Sequence, residues 1–287
     1  MSQTSQSDDK NGHPIRIVSL ERSGLNPPTD ILSPVLDASV SGLVIRNAFS
    51  SLSMSDAILG LDDLGDAWQS PNKGMTGGEI RTIGAAATPT FTAFTGPLAD
   101  DYLASQSQHE AWINRIFRQQ EPTARIADIF SALNKGQPAH PPKFGTQGDW
   151  LPYNFRSLER GHEIYAHHDD HFRLAIYDHL DEIYDRSVIL SWFVVVRPAT
   201  LGGELKLYGL WGSDPNPPTL PTRFLDAHAL DRDFKCETVH LNAGDMVVFN
   251  SGKHVHRVTQ VKSNVSRITM GGFATVDTAR SHLVFWS

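Results

Sequence analysis

Arg160–Phe172, with the sequence RGHEIYAHHDDHF, carries three histidines and two aspartates in five consecutive positions. The residues before them alternate as in a β-strand, and imidazole and carboxylate groups are common metal ligands. Side chains two residues apart in a strand project to the same face, so His167 and Asp169 form one candidate ligand pair. His168 and Asp170 form the other, and only one of the two pairs can face the interior.

A third ligand is expected downstream, where residues 242–261 read NAGDMVVFNSGKHVHRVTQV. This stretch predicts a turn, a strand and a second strand that carries His254 and His256. His256 precedes apolar positions within that strand, whereas His254 lies nearer the turn. A His-x-Asp pair on one strand and a distant histidine on another form the two-histidine, one-carboxylate set that holds non-haem Fe(II) and leaves coordination positions open. We therefore predict an iron site that includes His256.

An arginine and a threonine follow His256 in a pattern that suggests an anion site. Arg267 comes after an interval of ten residues, and Thr269 lies two residues further on, hence on the same strand face. A guanidinium group can hold a carboxylate with two parallel hydrogen bonds, and a threonine hydroxyl can add a third. The pattern therefore predicts a dicarboxylate co-substrate.

Four motifs, GHEIYAHHDDHF, LGGELKLY, HRVTQV and SRITMGGFA, carry a resemblance to a known family. Together they resemble the Fe(II)/2-oxoglutarate oxygenases, in the branch of the hapalindole and welwitindolinone aliphatic halogenases and the N-succinyl amino acid hydroxylases. The likeness extends from VSGLVIRNAFS near the start to the terminal VFWS. It implies that His167, Asp169 and His256 are the metal ligands, although the halogenases have glycine at the position that matches Asp169.

The resemblance also implies an activity. Enzymes of this kind use Fe(II), 2-oxoglutarate and O2 to hydroxylate an unactivated C–H bond, and they release succinate and CO2. The substrate is then a small molecule, either an amino acid derivative or a secondary metabolite, while Arg267 and Thr269 bind 2-oxoglutarate. The resemblance further implies that Arg81 engages an anionic group of the substrate. The residues expected to line the substrate pocket are Ile80, Arg81, Phe172 and Ser191.

Short strands predominate in the second half of the chain. From Tyr153 onward, strand-like segments alternate with Gly-rich turns, which indicates a sandwich or jelly roll. Residues 14–150 instead show amphipathic helical patterns and an irregular lid segment over residues 65–97. We predict a mainly β fold with α-helices, in which N-terminal helices flank a double-stranded β-helix (jelly roll, cupin-like) core. The predicted organisation is a disordered tail over residues 1–13 and a single catalytic domain over residues 14–287, with its core at 151–287.

Composition excludes several classes of function. The net charge of −7 over 287 residues argues against a nucleic-acid-binding surface. The sequence contains no run of about 18 apolar residues, so no membrane span is expected. The single cysteine, Cys236, cannot form an internal disulfide, and this suits a reducing cytoplasm in which Fe(II) also persists. A small-molecule enzyme of the cytoplasm is the expected class.

Two other functions stay open at this stage. One is a metal-binding cupin without redox activity, and the other is a hydrolase that uses a metal such as zinc or manganese. Arg267 and Thr269 argue against the cupin, because a cupin that binds no dicarboxylate has no need of them. The strand-like surroundings of His167 and Asp169 argue against the hydrolase, whose adjacent His-Asp pair requires a helical frame.

A helix is predicted over Phe172–Tyr184, because apolar residues recur on one side of that segment. His171 and His179 are expected on or beside this helix. Histidines in such positions are commonly solvated, so neither is predicted to be a ligand.

Overall fold

The computed structural model describes residues 10–26, 28–72, 78–86, 97–118, 120–143 and 148–287. Within these ranges the chain forms two β-sheets and five α-helices. The helices are α1 (Ser33–Leu36), α2 (Ser51–Asp62), α3 (Pro97–Phe117), α4 (Pro122–Leu133) and α5 (Ala227–Asp233). The strands are β1 (Ile17–Glu21), β2 (Gly42–Arg46), β3 (Gln69–Asn72), β4 (Ile80–Ile83), β5 (Ala139–His140), β6 (Asn154–Leu158), β7 (Ile164–His167), β8 (Leu190–Arg197), β9 (Leu205–Trp211), β10 (Cys236–Val239), β11 (Met246–Phe249), β12 (His254–Val258), β13 (Arg267–Val276) and β14 (Leu283–Trp286).

The larger sheet has the strand order β1-β2-β11-β8-β13-β6-β4-β3, and β14 pairs with the far end of β13 and with β5. The smaller sheet has the order β10-β9-β12-β7. Pairing is antiparallel except between β1 and β2 and between β14 and β5. Four strands of the larger sheet come from residues 17–83. The N-terminal part of the chain therefore contributes strands to the sheet as well as the helices that cover it.

Apolar side chains from both sheets meet in the space between them. Val247 and Phe249 of the larger sheet pack with Leu205 and Leu207 of the smaller one. Strands β11 and β13 are buried at every position, because this core covers one face of the larger sheet and helices cover the other. The arrangement confirms the predicted jelly roll.

Helices α2, α3 and α4 cover the outer face of the larger sheet. The side chain of Ser50 accepts a hydrogen bond from the main chain of Ser53 and so caps the start of α2. One face of α4 is apolar and buried, and Phe130 on that face packs edge-on against Trp192 of β8, with ring centroids 5.7 Å apart. Gly136, with φ +77°, ends the connection after α4, where a left-handed backbone favours glycine.

The predicted helix over Phe172–Tyr184 is wrong. The segment forms two short 3₁₀ turns, His171–Arg173 and Ala175–His179, separated by an extended Leu174. The ring of Phe172 contacts those of Tyr177 and Trp286, which lie 5.2 Å and 6.0 Å away. These tertiary contacts outweigh the local helical periodicity, which is only a weak determinant.

The predicted lid over residues 65–97 lies partly outside the described residues. Its described parts include β3 and β4, which form the edge of the larger sheet. Among the helices that the structure describes, none combines the length and apolarity needed to cross a bilayer.

His109 on α3 predicts a specific dependence of stability on pH. Its ring is 3% exposed, and neither nitrogen has a hydrogen-bond partner among the described residues. Burial lowers the pKa of His109 to about 4, whereas the unfolded chain takes up a proton near pH 6.5. Acidification from pH 7.5 to pH 5 should therefore reduce the free energy of unfolding by about 2 kcal/mol through this group alone.

Urea unfolding of the wild-type protein and of His109→Phe at both pH values isolates this contribution. Phenylalanine fills similar space and does not titrate, so the loss of stability on acidification should be about 2 kcal/mol smaller in the variant. Equal losses in the two proteins would show that His109 is not held neutral by the fold.

Candidate metal centre

The smaller sheet brings two distant histidines side by side. His167 ends β7 and His256 lies in β12, and the two residues are direct partners in the register of these strands. Asp169 follows two residues after β7, where its main-chain N–H donates to the carbonyl of Ser251 at 2.9 Å. The Nε2 atom of His167 lies 3.7 Å from Oδ1 of Asp169, and that of His256 lies 3.9 Å from Oδ2. One ligand atom from each residue falls within 4.8 Å of the others, a spacing that one metal ion can bridge.

The alternative ligands point elsewhere. The ring of His168 packs against the main chain at Gly212. Asp170 is exposed and forms an ion pair with Arg173 at 3.2 Å. His254 is buried with its Nδ1 atom 3.4 Å from the carbonyl of Tyr208. The structure therefore brings together the first predicted pair and not the second.

Hydrogen bonds to the main chain fix the tautomers of both histidine ligands. Nδ1 of His167 lies 2.7 Å from the carbonyl of Tyr165, and Nδ1 of His256 lies 3.0 Å from the carbonyl of His254. A carbonyl oxygen only accepts, so each Nδ1 must carry the proton, which leaves the Nε2 lone pairs free to bind metal. Two neutral imidazoles and one carboxylate fit Fe(II), with coordination positions left for other ligands.

The charge states also suit a metal site. Burial alone would raise the pKa of Asp169, but His171, His256 and His167 together hold it well below its usual range. Burial, reinforced by His167 and opposed by Asp169, lowers the pKa of His256 to about 3. At neutral pH the carboxylate is therefore ionised and this imidazole is neutral, which are the protonation states that bind a metal.

Ser191 on β8 contacts the carboxylate ligand directly. Its hydroxyl donates to Oδ2 of Asp169 at 2.8 Å. The resemblance predicted Ser191 as a pocket residue, and the structure adds this hydrogen bond across the two sheets. The bond fixes the orientation of the carboxylate through Oδ2, while Oδ1 lies within 3.7 Å of Nε2 of both His167 and His171.

Ser191→Ala is expected to weaken metal binding by about tenfold, because outer contacts of ligands typically affect affinity by about 10–100-fold. Anaerobic titration of the variant with Fe(II) or Co(II) measures the change. Ser187→Ala is a suitable control, since its hydroxyl bonds to Asp185 on the surface. Equal affinity in wild type and Ser191→Ala would show that the hydrogen bond does not hold the ligand.

His171 is not solvated as predicted. The 3₁₀ turn after Asp170 folds it inward, where it is buried with Nε2 3.4 Å from Oδ1 of Asp169. The edge of its ring meets Phe273 at a centroid distance of 4.6 Å. The HHDDH motif contained this residue, but only the turn geometry reveals that it approaches the ligand.

Arg267 and Thr269 lie on the interior face of β13, and both side chains are buried. The guanidinium group stacks over Phe193, 4.9 Å from the ring centroid, and has no acidic partner within ion-pair distance in the described part of the chain. Burial, with the charge of Arg156, lowers the pKa of Arg267 to about 10, so it remains cationic at neutral pH. It also borders a cavity of about 410 Å³ that is lined mainly by the loops after β8 and β10 and by neither Thr269 nor a metal ligand. A buried cation without an acidic partner is a suitable anion site.

Two of the predicted pocket residues, Ile80 and Arg81, lie on opposite faces of β4. Ile80 faces the interior, where it packs with Leu158 and Val258. Arg81, the next residue, faces the other way and binds Glu159 at 3.0 Å. The structure therefore does not place Arg81 beside the metal cluster, and its role stays a prediction. Phe172 borders the aromatic group next to His171, and its role as a pocket residue also stays a prediction.

Comparison with known proteins identifies the family. The family model described as carrier-protein-independent halogenase WelO5 matches residues 15–287. The chain belongs to this family. The WelO5 family lies within the Fe(II)/2-oxoglutarate-dependent oxygenases, so the chain is an oxidoreductase of that superfamily. The three convergent ligands fit the iron that such enzymes use.

Solved structures show the same fold at low sequence identity. An N-substituted L-amino acid dioxygenase of Burkholderia ambifaria AMMD, in complex with α-ketoglutarate, is 13% identical, with a TM-score of 0.54 and 90% of each chain covered. A second structure of an N-substituted L-amino acid dioxygenase from that organism is 15% identical, with a TM-score of 0.51, 89% of this chain and 90% of that chain covered. No curated protein sequence matches the chain. Both structures share the jelly-roll fold of this chain.

Proposed function

We propose that this member of the WelO5 family hydroxylates an unactivated C–H bond of a small molecule and does not halogenate it. The observation that carries the proposal is Asp169, whose carboxylate converges with His167 and His256. Iron bound by these residues would supply the chemistry of the class, in which 2-oxoglutarate, O2 and R–H yield succinate, CO2 and R–OH. Carboxylate and halide compete for the same coordination position, and here the chain itself fills that position.

Electrostatics favours the same conclusion. A halide near Asp169 would face a second negative charge, and two unit charges about 4 Å apart repel by about 4 kcal/mol at an effective dielectric constant of about 20. The hydroxyl of Ser191 donates to the carboxylate, and the main-chain N–H of Asp169 donates to the carbonyl of Ser251. Together these bonds prevent the carboxylate from turning aside. The protein thus disfavours halide binding before any substrate arrives.

The residues between the sheets have distinct roles in this proposal. Arg267 and Thr269 bind the carboxylate of 2-oxoglutarate that lies far from the metal. Ile80, Phe172 and Ser191 line the space in which the substrate carbon approaches. The aromatic group that includes Phe172 and Trp286 keeps water away from the reacting carbon.

The proposed substrate is an amino acid derivative or another small metabolite, and we propose a reducing cytoplasm as the location. The likeness to an N-substituted L-amino acid dioxygenase supports the first choice. The single half-buried thiol of Cys236 suits the second. An anionic group on the substrate is part of the proposal and is tested through Arg81.

Arg81→Ala should raise the KM of an anionic substrate by a few-fold. The bond between Arg81 and Glu159 is half-exposed, and such ion pairs are worth only about 0.2–1 kcal/mol, so a substrate anion can replace it. Steady-state kinetics of the folded variant measure the change. An unaltered KM would exclude a binding role for this side chain.

A screen of small amino acid derivatives, read by succinate formation, tests the proposed activity. The expected product gains one oxygen atom, and mass spectrometry in excess chloride should detect no chlorinated form. A chlorinated main product from the wild-type enzyme would overturn the proposal.

A further inference from the structure

Two exposed histidines outside the metal cluster lie side by side on the larger sheet. His140 ends β5, and His282 immediately precedes β14, which pairs with β5 in parallel. Their ring centroids are 6.5 Å apart, at an interplanar angle of 68°. The proline that follows His140 restricts its main chain to an extended conformation, and the main-chain N–H of Leu283 donates to the carbonyl of Pro138 at 3.0 Å. The main chain therefore holds the two rings as neighbours.

Hydrogen bonds fix the tautomer of His282. Oδ2 of Asp277 accepts from the hydroxyl of Ser281 at 2.6 Å, and Oγ of Ser281 lies 2.9 Å from Nδ1 of His282. The hydroxyl gives its one proton to the carboxylate, so Nδ1 of the neutral imidazole must carry the proton of the second bond. Nδ1 also lies 3.4 Å from Oδ2 of Asp277. A carboxylate behind the ring orients a metal-binding histidine and makes it a better ligand.

His140 favours the same tautomer. Its Nδ1 atom lies 2.9 Å from the carbonyl of Pro141, and a carbonyl oxygen only accepts, so Nδ1 of the neutral imidazole carries the proton. Within the described residues, Nε2 of His140 and Nε2 of His282 have no hydrogen-bond partner. Both side chains are exposed, so ions from solvent reach them. The pair therefore offers two free imidazole lone pairs at one place on the surface.

The separation of the two rings suits one shared ion after a small movement. Metal–nitrogen distances of about 2.0–2.1 Å place the centroids of two imidazoles on a tetrahedral ion about 5 Å apart. The observed separation of 6.5 Å exceeds this value by about 1–2 Å. Exposed side chains change rotamer rapidly, so rotation about the side-chain torsions of the two histidines closes the difference.

We propose that His140 and His282 form a second metal site, which binds one borderline divalent ion such as Zn(II) and keeps water in the remaining positions. Imidazole is a common ligand of such ions, whereas Mg(II) and Ca(II) prefer oxygen ligands. The ion links β5 to β14, and it stabilises the folded chain because it binds the native arrangement of these strands. Iron, 2-oxoglutarate and the proposed hydroxylation play no part in this site.

Zinc binding by a protein whose metal cluster is disabled tests the inference. The double variant His167→Ala/His256→Ala lacks two of the three ligands of the cluster, so Zn(II) that it binds must lie elsewhere. Equilibrium dialysis counts the bound ions, and calorimetry gives the Kd. His140→Ala and His282→Ala are then added to the double variant one at a time. His228→Ala is the matched control, because His228 is an exposed histidine near the start of α5.

The double variant should bind one Zn(II). Adding either His140→Ala or His282→Ala should raise the Kd by at least about tenfold, since even the outer partners of histidine ligands account for about 10–100-fold in affinity. Adding His228→Ala should leave the Kd within twofold. Zn(II) should also raise the Tm of the double variant but not that of the variant that also lacks His140.

Absence of Zn(II) binding in the double variant would overturn the inference. Stoichiometric binding that neither His140→Ala nor His282→Ala weakens would also overturn it, because the ion would then lie at another place on the surface. Should the double variant not fold, the wild-type protein should bind two Zn(II) ions and His140→Ala should bind one. An equal count in these two proteins would contradict the proposed site.

Discussion

Replacing Asp169 by glycine should lower hydroxylation by more than about 100-fold, because the change removes both a metal ligand and its charge. Even residues that only support a ligand affect metal affinity or activity by about 10–100-fold. The carboxylate of Asp169 is buried, accepts a hydrogen bond from Ser191 and lies beside His167 and His256, as expected of a metal ligand. Product formation and Fe(II) affinity measure the effect.

Asp170→Gly is the matched control, because Asp170 is exposed and pairs only with Arg173 among the described residues. It should retain hydroxylation close to the wild-type rate. If Asp169→Gly were instead fully active and Asp170→Gly inactive, the ligand pair would have to be His168 and Asp170.

The Asp169→Gly variant also opens a coordination position and removes the repulsion of a halide. Product mass in excess chloride shows whether this position becomes usable. The wild-type protein should give no chlorinated product under the same conditions, since its own carboxylate fills the site.

Arg267→Ala is the second change with a large expected effect, and it should weaken 2-oxoglutarate binding by about 2–5 kcal/mol. The guanidinium group is buried, stacks on Phe193 and has no acidic partner within ion-pair distance among the described residues, so truncation leaves the incoming carboxylate without its partner. The corresponding increase in Kd is roughly 30-fold to several thousand-fold.

Anaerobic titration of the Fe(II) protein with 2-oxoglutarate provides the measurement for Arg267→Ala. Thr269→Val should have a smaller effect, because it removes one neutral hydroxyl, worth about 0.5–1.5 kcal/mol as a hydrogen bond. Unchanged affinity in Arg267→Ala would place the co-substrate elsewhere.

The spacing of residues along the chain predicted much of the metal site. Two strands with side chains two residues apart sufficed to propose His167, Asp169 and His256, because a strand has only two faces. Choosing between this set and His168 with Asp170 needed the family resemblance. Packing then accounts for the choice, since His168 lies against Gly212 and not in the interior.

Other features depend on contacts that no local pattern encodes. His171 approaches Asp169 only because a 3₁₀ turn replaces the predicted helix, and that turn is fixed by distant aromatic rings.

Ile80 and Arg81 illustrate a limit of reading residues without their secondary structure. Both were expected to line the pocket, but the segment around them shows no clear period in the sequence. In β4 they are consecutive strand residues, so their side chains project to opposite faces. Ile80 is buried between the sheets, whereas Arg81 binds Glu159.

Mixing the anaerobic wild-type protein with Fe(II) and 2-oxoglutarate tests the central claim most directly. If His167, Asp169 and His256 hold iron while Arg267 anchors the co-substrate, a visible charge-transfer band should appear, and O2 should then convert 2-oxoglutarate to succinate. A protein that binds Fe(II) but forms no such band would contradict the account and would instead favour a metal-binding cupin without redox activity or a metal-dependent hydrolase.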